Sequence, residues 1–285
     1  MGGGETHPAL DFDWLGACRR AVEKVEQVLA GYATTAQRNV GTGRGAGGDE
    51  SLVFDRGAED AIFSELEALA GEGAEFTAIS EERGEVVYGN GASPVRVVVD
   101  PIDGSLNAKR LIPSYCVSIA VSAGDTMEDV RFGFVHDLGN GEEFTATLHG
   151  GAQRNGEPLA PEPADDDQAL EVVGLEAARP DWIVPVAQQL KESVYRIRVV
   201  GSVALTLCYV GGARFDGMAT ANTCRSVDAA AAQLIAREAG AFVSVLGYGG
   251  VEAPLDLDAR YRIVAARTPE GLDTLARALT SAPQP

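Results

Sequence analysis

Val95-Arg96-Val97-Val98-Val99-Asp100-Pro101-Ile102-Asp103-Gly104-Ser105 reads as a buried strand that hands over a carboxylate at its C-terminal end. Pro101 has no N–H for a ladder and is expected to stop the strand. Asp103 then comes one turn further round, so both carboxylates can face one point. Gly104 and Ser105 offer backbone N–H groups where the chain enters its next element; if that element is helical, an anion site lies beside two acidic groups. Carboxylates next to phosphate-binding amides need a cation between them, and Mg2+ fits because it takes a few carboxylates plus phosphate oxygens. On these eleven residues alone a plainer reading stays open, a strand end followed by an Asp-Gly turn.

Working outward, apolar residues at Leu15, Cys18, Val22, Val25 and Leu29 carry helical spacing over 11–31, and a second helical run covers 55–70. Between them a Gly-rich stretch, Gly41 to Gly48, reads as a flexible loop. Short β-type runs follow at 76–79, 95–99, 116–121 and 130–135, and Asn155-Gly156 is a turn signal. The acidic, proline-bearing segment 160–168 is the linker candidate, dividing an N-terminal α+β part (1–160) from a C-terminal α/β part (161–285). In the latter, strands are expected at 172–175, 196–200 and 261–265. Helices are expected at 181–193, 203–212, 227–239 (closed by Gly240) and 269–280. No repeat is visible.

The 285 residues carry 42 acidic against 23 basic side chains, a formal charge of -19. Such a surface repels polyphosphate backbones and argues against nucleic-acid binding. Only Lys24, Lys109 and Lys191 are lysines. An acidic, lysine-poor surface suits concentrated salt, where self-repulsion is screened; a GC-biased genome would equally favour Arg. The four cysteines show no CxxC pair and read as buried thiols of a reducing cytoplasm. The three histidines lack zinc-ligand spacing. No apolar run is long enough to span a membrane, and no signal peptide is expected. Met1-Gly2 with Thr6 fits a myristoylation pattern formally, but a Gly-rich start explains it.

DPIDGS at 100–105, followed by Asn107, resembles the signature of the inositol monophosphatase family, which shares a superfamily with fructose-1,6-bisphosphatases. Three further stretches agree in order and spacing: Asp55 to Glu59 with the family's DxxxE, Ser80-Glu81-Glu82 with its paired glutamates, and Ser226-Val227-Asp228 running to Gly240 with its late metal-binding aspartate and helix. Gly201-Ser202 before Ala204-Leu205 matches as well. The resemblance covers roughly residues 10–270 and implies a layered αβαβα sandwich, a mixed α/β fold.

It also implies two or three Mg2+ ions. Glu81, Asp100 and the Ile102 carbonyl would hold the first, and Asp100, Asp103 and Asp228 the second. Ser105, where the family usually has threonine, would pair with Asp55 to deprotonate the attacking water, with Glu81 counted among the catalytic groups. Asp103, Gly104, Ser105, Gly201, Ser202 and Arg225 would meet substrate or its phosphate, and the Gly41–Gly48 loop would be a flap near the metals. Members are frequently dimers, so a cytoplasmic homodimer acting on a small phosphate ester is expected. Two metals would activate water and clamp both apical oxygens of an in-line displacement.

The sequence departs from the pattern in places. Val227 replaces a common tryptophan, and Ala219-Thr220-Ala221-Asn222 lacks the acidic residue that inositol-selective members carry about seven positions before the last aspartate. Lys109, Arg110 and Arg225 flank the motifs and would suit a second phosphate; solvated or structural charges are the alternative. The expected activity is therefore hydrolysis of inositol-1-phosphate and/or fructose-1,6-bisphosphate. Behind it stand a nucleotide 3'-phosphatase, which would want a base platform, and a non-catalytic regulatory member. Three decoys are set aside. Cys208 to Arg214 spells C-x5-R but follows an apolar helical run, so a core thiol is expected. Asp11-Phe12-Asp13 reads as a helix cap. Gly43-x-Gly45-x-x-Gly48 has no strand leading into it.

Overall fold

The structure is a computed structural model that describes residues 8–46, 50–159, 161, 170–176 and 179–283. The linker read at 160–168, apart from Pro161, and the N-terminal Met1 to Thr6 pattern lie outside the described residues. Two larger sheets organise the chain. The first has eight strands in the order Glu157–Pro158, Gly151–Arg154, Glu143–Thr147, Val130–Asp137, Cys116–Ser122, Arg96–Asp103, Phe76–Ser80, Gly84–Tyr88. Only Phe76–Ser80 and Arg96–Asp103 run parallel in it. The second has five strands, Val194–Arg198, Leu170–Glu176, Gly217–Thr220, Ile263–Ala266 and Phe242–Val245, with Leu170–Glu176 parallel to both neighbours.

The layering follows from period-two alternation along the strands. Val97, Val99, Ile119 and Val121 pack toward the helices Trp14–Ala30 and Val53–Gly71. Val98, Cys116 and Ala120 turn to the opposite face, onto the helices Val203–Gly211 and Ser226–Glu238. These two helices also cover the second sheet through Met218, Ile263 and Ala265. The alternate residues Ala219, Val264 and Ala266 face the outer helices Pro180–Leu190 and Pro269–Ser281. The order is helix, sheet, helix, sheet, helix, the expected sandwich. Ser226–Glu238 is buried almost all round, as a helix between two sheets must be, and its run Ala229 to Ala232 lets both sheets approach closely.

Local signals account for several boundaries. Asp13 caps the first helix, accepting from the Gly16 amide at 2.9 Å. Asn155 and Gly156 take positive φ (53° and 79°) in a two-residue hairpin turn. Other expectations need correction. Gly41–Arg44 is not loop but pairs antiparallel with Glu50–Leu52, because ladder partners override the weak strand propensity of glycine. The strand read at 196–200 spans Val194–Arg198, since the Val200 amide and carbonyl are taken by side chains instead. Among the described residues no helix is long and apolar enough to cross a membrane.

Candidate active site

The strand Arg96–Asp103 does not end at Pro101. Its ladder to Cys116–Ser122 pairs Asp100 with Ser118, skips, and resumes with Asp103 opposite Cys116. The irregularity swings both carboxylates toward one end of the sheet, where Asp100 and Asp103 are buried. Asp100 Oδ1 accepts from the Ile102 amide at 3.0 Å, and the Ser105 hydroxyl donates to the Ile102 carbonyl at 2.9 Å. Gly104 has φ +95°, and a Cβ there would lie 2.9 Å from the Ser114 carbonyl, so only glycine opens the short helix Ser105–Arg110.

The second half of the chain reaches the same place. Asp103 Oδ2 accepts from the Ser202 hydroxyl at 2.6 Å and the Ala204 amide at 2.7 Å, at the start of Val203–Gly211. Ser202 is that helix's N-cap, accepting from the Leu205 amide at 3.1 Å. Asp228, in the first turn of Ser226–Glu238, accepts from the Arg225 amide at 2.7 Å. Arg225 Nη2 donates to Glu81 Oε1 at 2.6 Å, just beyond Phe76–Ser80. Asp55, on the first turn of Val53–Gly71, accepts from the Leu52 amide at 3.3 Å.

Burial and like charge dominate the electrostatics. Asp100 is held well above the carboxylate range by burial, then by Asp103, Glu81 and Asp228. Asp103 is pushed up to about 8 by burial and then by Asp228, against the help of Ser202 and Ala204. Asp55 rises to about 7 through burial and then the Glu82 charge, offset in part by Leu52 and the Ser105 hydroxyl. Glu81, Asp100, Asp103 and Asp228 therefore form one electrostatic neighbourhood. Among the described residues, however, no three Asp, Glu, His or Cys side chains close round a single point; Glu81 is held to Arg225. The donors are oxygen-only and destabilise one another's charge, and Asp55 Oδ1 and Glu82 Oε2 are buried without hydrogen-bond partners. Such a set fits a hard, oxygen-preferring cation.

Asp103 and Asp228 open onto a cleft of about 380 Å³ whose lining includes Asn107, Glu176, Thr220 and Asn222, with Gly201 and Ser202 on the same wall. No Lys or Arg lines it, nor does any of the described histidines, and every lysine and arginine of the chain lies among the described residues. Lys109 and Arg110 line a different cleft, with Thr35, Ala36 and Asn39. Their position one turn beyond the motif carries them away from Asp103 around the helix Ser105–Arg110. The sequence reading missed Glu176, a buried carboxylate at the end of Leu170–Glu176 that accepts three hydrogen bonds. A strand-terminal Glu before a helix was its only signal. Cys208 is fully buried and its thiol is raised well above the ordinary value, first by burial, as a core thiol should be.

The chain matches the model of the inositol monophosphatase family over residues 13–284. It is 33% identical over 262 residues to the fructose-1,6-bisphosphatase/inositol-1-monophosphatase of Methanothermobacter thermautotrophicus, covering 89% of this chain and 91% of that one. The protein of the same name from Archaeoglobus fulgidus is 34% identical over 258 residues, covering 89% and 93%. The crystal structure of an inositol monophosphatase-fructose 1,6 bisphosphatase superposes with a TM-score of 0.80 at 24% identity, over 94% of this chain and all of that one.

Proposed function

Because the chain belongs to the inositol monophosphatase family and is a phosphoric monoester hydrolase of the inositol monophosphatase/fructose-1,6-bisphosphatase type, we propose that it is a Mg2+-dependent phosphatase of small sugar or polyol phosphates. The observation that carries this reading is the gathering of Glu81, Asp100, Asp103 and Asp228 from separate segments into one neighbourhood beside a cleft. Glu81 and Asp100 with the Ile102 carbonyl, and Asp100, Asp103 and Asp228, are the residues that would hold the cations. Bound there, Mg2+ would relieve charge on the phosphoryl oxygens and lower the pKa of water.

The chain's own groups have distinct tasks. The Ser105 hydroxyl, with Asp55 behind it, takes the proton of the attacking water. A carboxyl pushed up to about 7 is near the pH at which it must exchange that proton. The amides of Gly104 and Ser105 orient the phosphoryl group, and Gly201 and Ser202 line the space for the alcohol part. Arg225, expected from the sequence to meet substrate, is engaged with Glu81 and has the role of an internal counter-charge. A cleft lined by carboxylates, neutral polar groups and the apolar Leu106, Val203 and Cys224, with no Lys or Arg, favours a monophosphate of an uncharged polyol. The names of the archaeal relatives favour fructose-1,6-bisphosphate as a second substrate.

The deciding experiment measures phosphate release from inositol-1-phosphate and fructose-1,6-bisphosphate, with Mg2+ and with EDTA, beside Asp100→Asn. Turnover that needs Mg2+ and is lost in the variant is the expected result. Undiminished turnover in EDTA would overturn the metal assignment.

A further inference from the structure

Glu176 is a buried carboxylate that none of the steps above uses. It ends the strand Leu170–Glu176, directly opposite Thr220 on the parallel strand Gly217–Thr220, and is only 2% exposed. Three donors converge on it: the Val200 amide at 3.1 Å and the Thr206 hydroxyl at 2.7 Å on Oε1, and the Gly201 amide at 2.9 Å on Oε2. A carboxylate spanning two successive amides fixes the orientation of the peptide between them. It also lies at the N-terminal end of the helix Val203–Gly211, where negative charge is favoured.

The turn held in this way is gripped from its other side too. Asn107 Nδ2 donates to the Val200 carbonyl and to the Ser114 carbonyl, both at 2.8 Å. Gly201 has φ +82°, and a Cβ there would lie 2.7 Å from Asn107 Nδ2, so the backbone passes as close to the motif helix as glycine permits. Beyond the turn, the Ser202 hydroxyl and the Ala204 amide both donate to Asp103 Oδ2. A continuous path therefore runs from Glu176 through residues 200–204 to Asp103. Burying a carboxylate costs several kcal/mol unless its acceptors are filled, and a packing role would be met by an apolar side chain of similar size. What only a carboxylate supplies here is two acceptor oxygens facing adjacent N–H groups.

We propose that Glu176 is a positioning residue: it sets the Val200–Ser202 turn that walls the substrate cleft and, through that turn, the direction in which Asp103 presents its carboxylate. This rests on the proposed function, the kinetic arm on its turnover and the calorimetric arm on its Mg2+ binding, and wild type reports the two separately.

The test compares wild type, Glu176→Ala and Glu176→Gln by steady-state kinetics on inositol-1-phosphate and by calorimetric titration with Mg2+. Alanine is expected to raise KM about ten-fold with kcat changed less, and to weaken Mg2+ binding at least about three-fold. Glutamine keeps the acceptor for Thr206 and one amide, so it should recover part of both losses. A purely structural role would lower the active fraction while leaving KM and the Mg2+ affinity of the folded molecules unchanged. If alanine prevents folding, the glutamine variant decides. KM and Mg2+ affinity both within about two-fold of wild type would overturn the proposal. Absent turnover in wild type on every ester would sink the functional reading, and the calorimetric arm would still judge Glu176.

Discussion

Arg225 touches two of the four candidate metal-binding carboxylates at once: its Nη2 donates to Glu81 Oε1 at 2.6 Å, and its backbone amide donates to Asp228 Oδ2 at 2.7 Å. Both side chains of the ion pair are largely covered, 12% and 19% exposed. In the metal-free protein Arg225 therefore supplies positive charge where the buried acids most need it, and a bound cation would compete for Glu81. Arg225→Gln should lower stability in EDTA by roughly 2 kcal/mol, between the exposed and fully buried limits for ion pairs. Mg2+ binds the native state and should restore more stability to the variant than to wild type. Thermal melts with and without Mg2+ read this directly. Equal melting temperatures in EDTA would show that the pair contributes nothing.

The raised carboxyl groups make a pH prediction with a definite sign. An acid whose folded pKa lies above its unfolded value holds more protons in the native state, so its contribution is full below the unfolded value and lost as pH rises through the folded one. For Asp103 that interval runs from 3.8 to about 8, and for Asp55 from 3.8 to about 7. From these two groups the metal-free protein should lose stability between about pH 4 and pH 8. Asp103→Asn can still accept from Ser202 and Ala204, so it should flatten that loss and melt higher than wild type at pH 9. Unfolding curves in EDTA at several pH values test it; an unchanged slope in the variant would refute the assignment of that loss to Asp103.

Part of this candidate site was legible from spacing alone: Asp100 and Asp103 with their glycine sit within one strand and turn. Glu81 and Asp228 carry no such local signal and were singled out only through the resemblance of their segments to the family's motifs. Glu176 was not, since its three donors come from residues 24, 25 and 30 positions away and no local pattern announces them. The fold shows the same division. The long helices and the valine-rich strands declared themselves, whereas Gly217–Thr220 is short, and its neighbours Leu170–Glu176 and Ile263–Ala266 come from distant sequence. The hairpin at Gly41–Arg44 was concealed by glycine, whose weak intrinsic preference says nothing about available ladder partners.

Cys208 offers a chemical check on the discarded thiol mechanism. It is inaccessible, and burial followed by the charges of Asp137 and Asp103 pushes its thiol well above the ordinary range. Iodoacetamide needs thiolate, so native protein should keep full activity after treatment at neutral pH. Rapid inactivation, prevented by phosphate, would reopen a cysteine nucleophile.

The proton relay can be separated from metal binding at Ser105. Its hydroxyl donates to the Ile102 carbonyl at 2.9 Å and also helps hold down the Asp55 pKa, so it neighbours both a candidate metal ligand and the candidate base. Ser105→Ala removes that hydroxyl but none of the four carboxylates. Mg2+ affinity should stay close to wild type, while kcat falls about a hundred-fold or more, the usual scale for a lost general base. Ser105→Thr restores a hydroxyl at a partly exposed position and should return most of the rate. Asp55→Asn should reproduce the alanine defect, and the double variant should be little worse than either single one, because groups acting as one unit are not additive. Full additivity of the two losses would place Ser105 and Asp55 in separate steps.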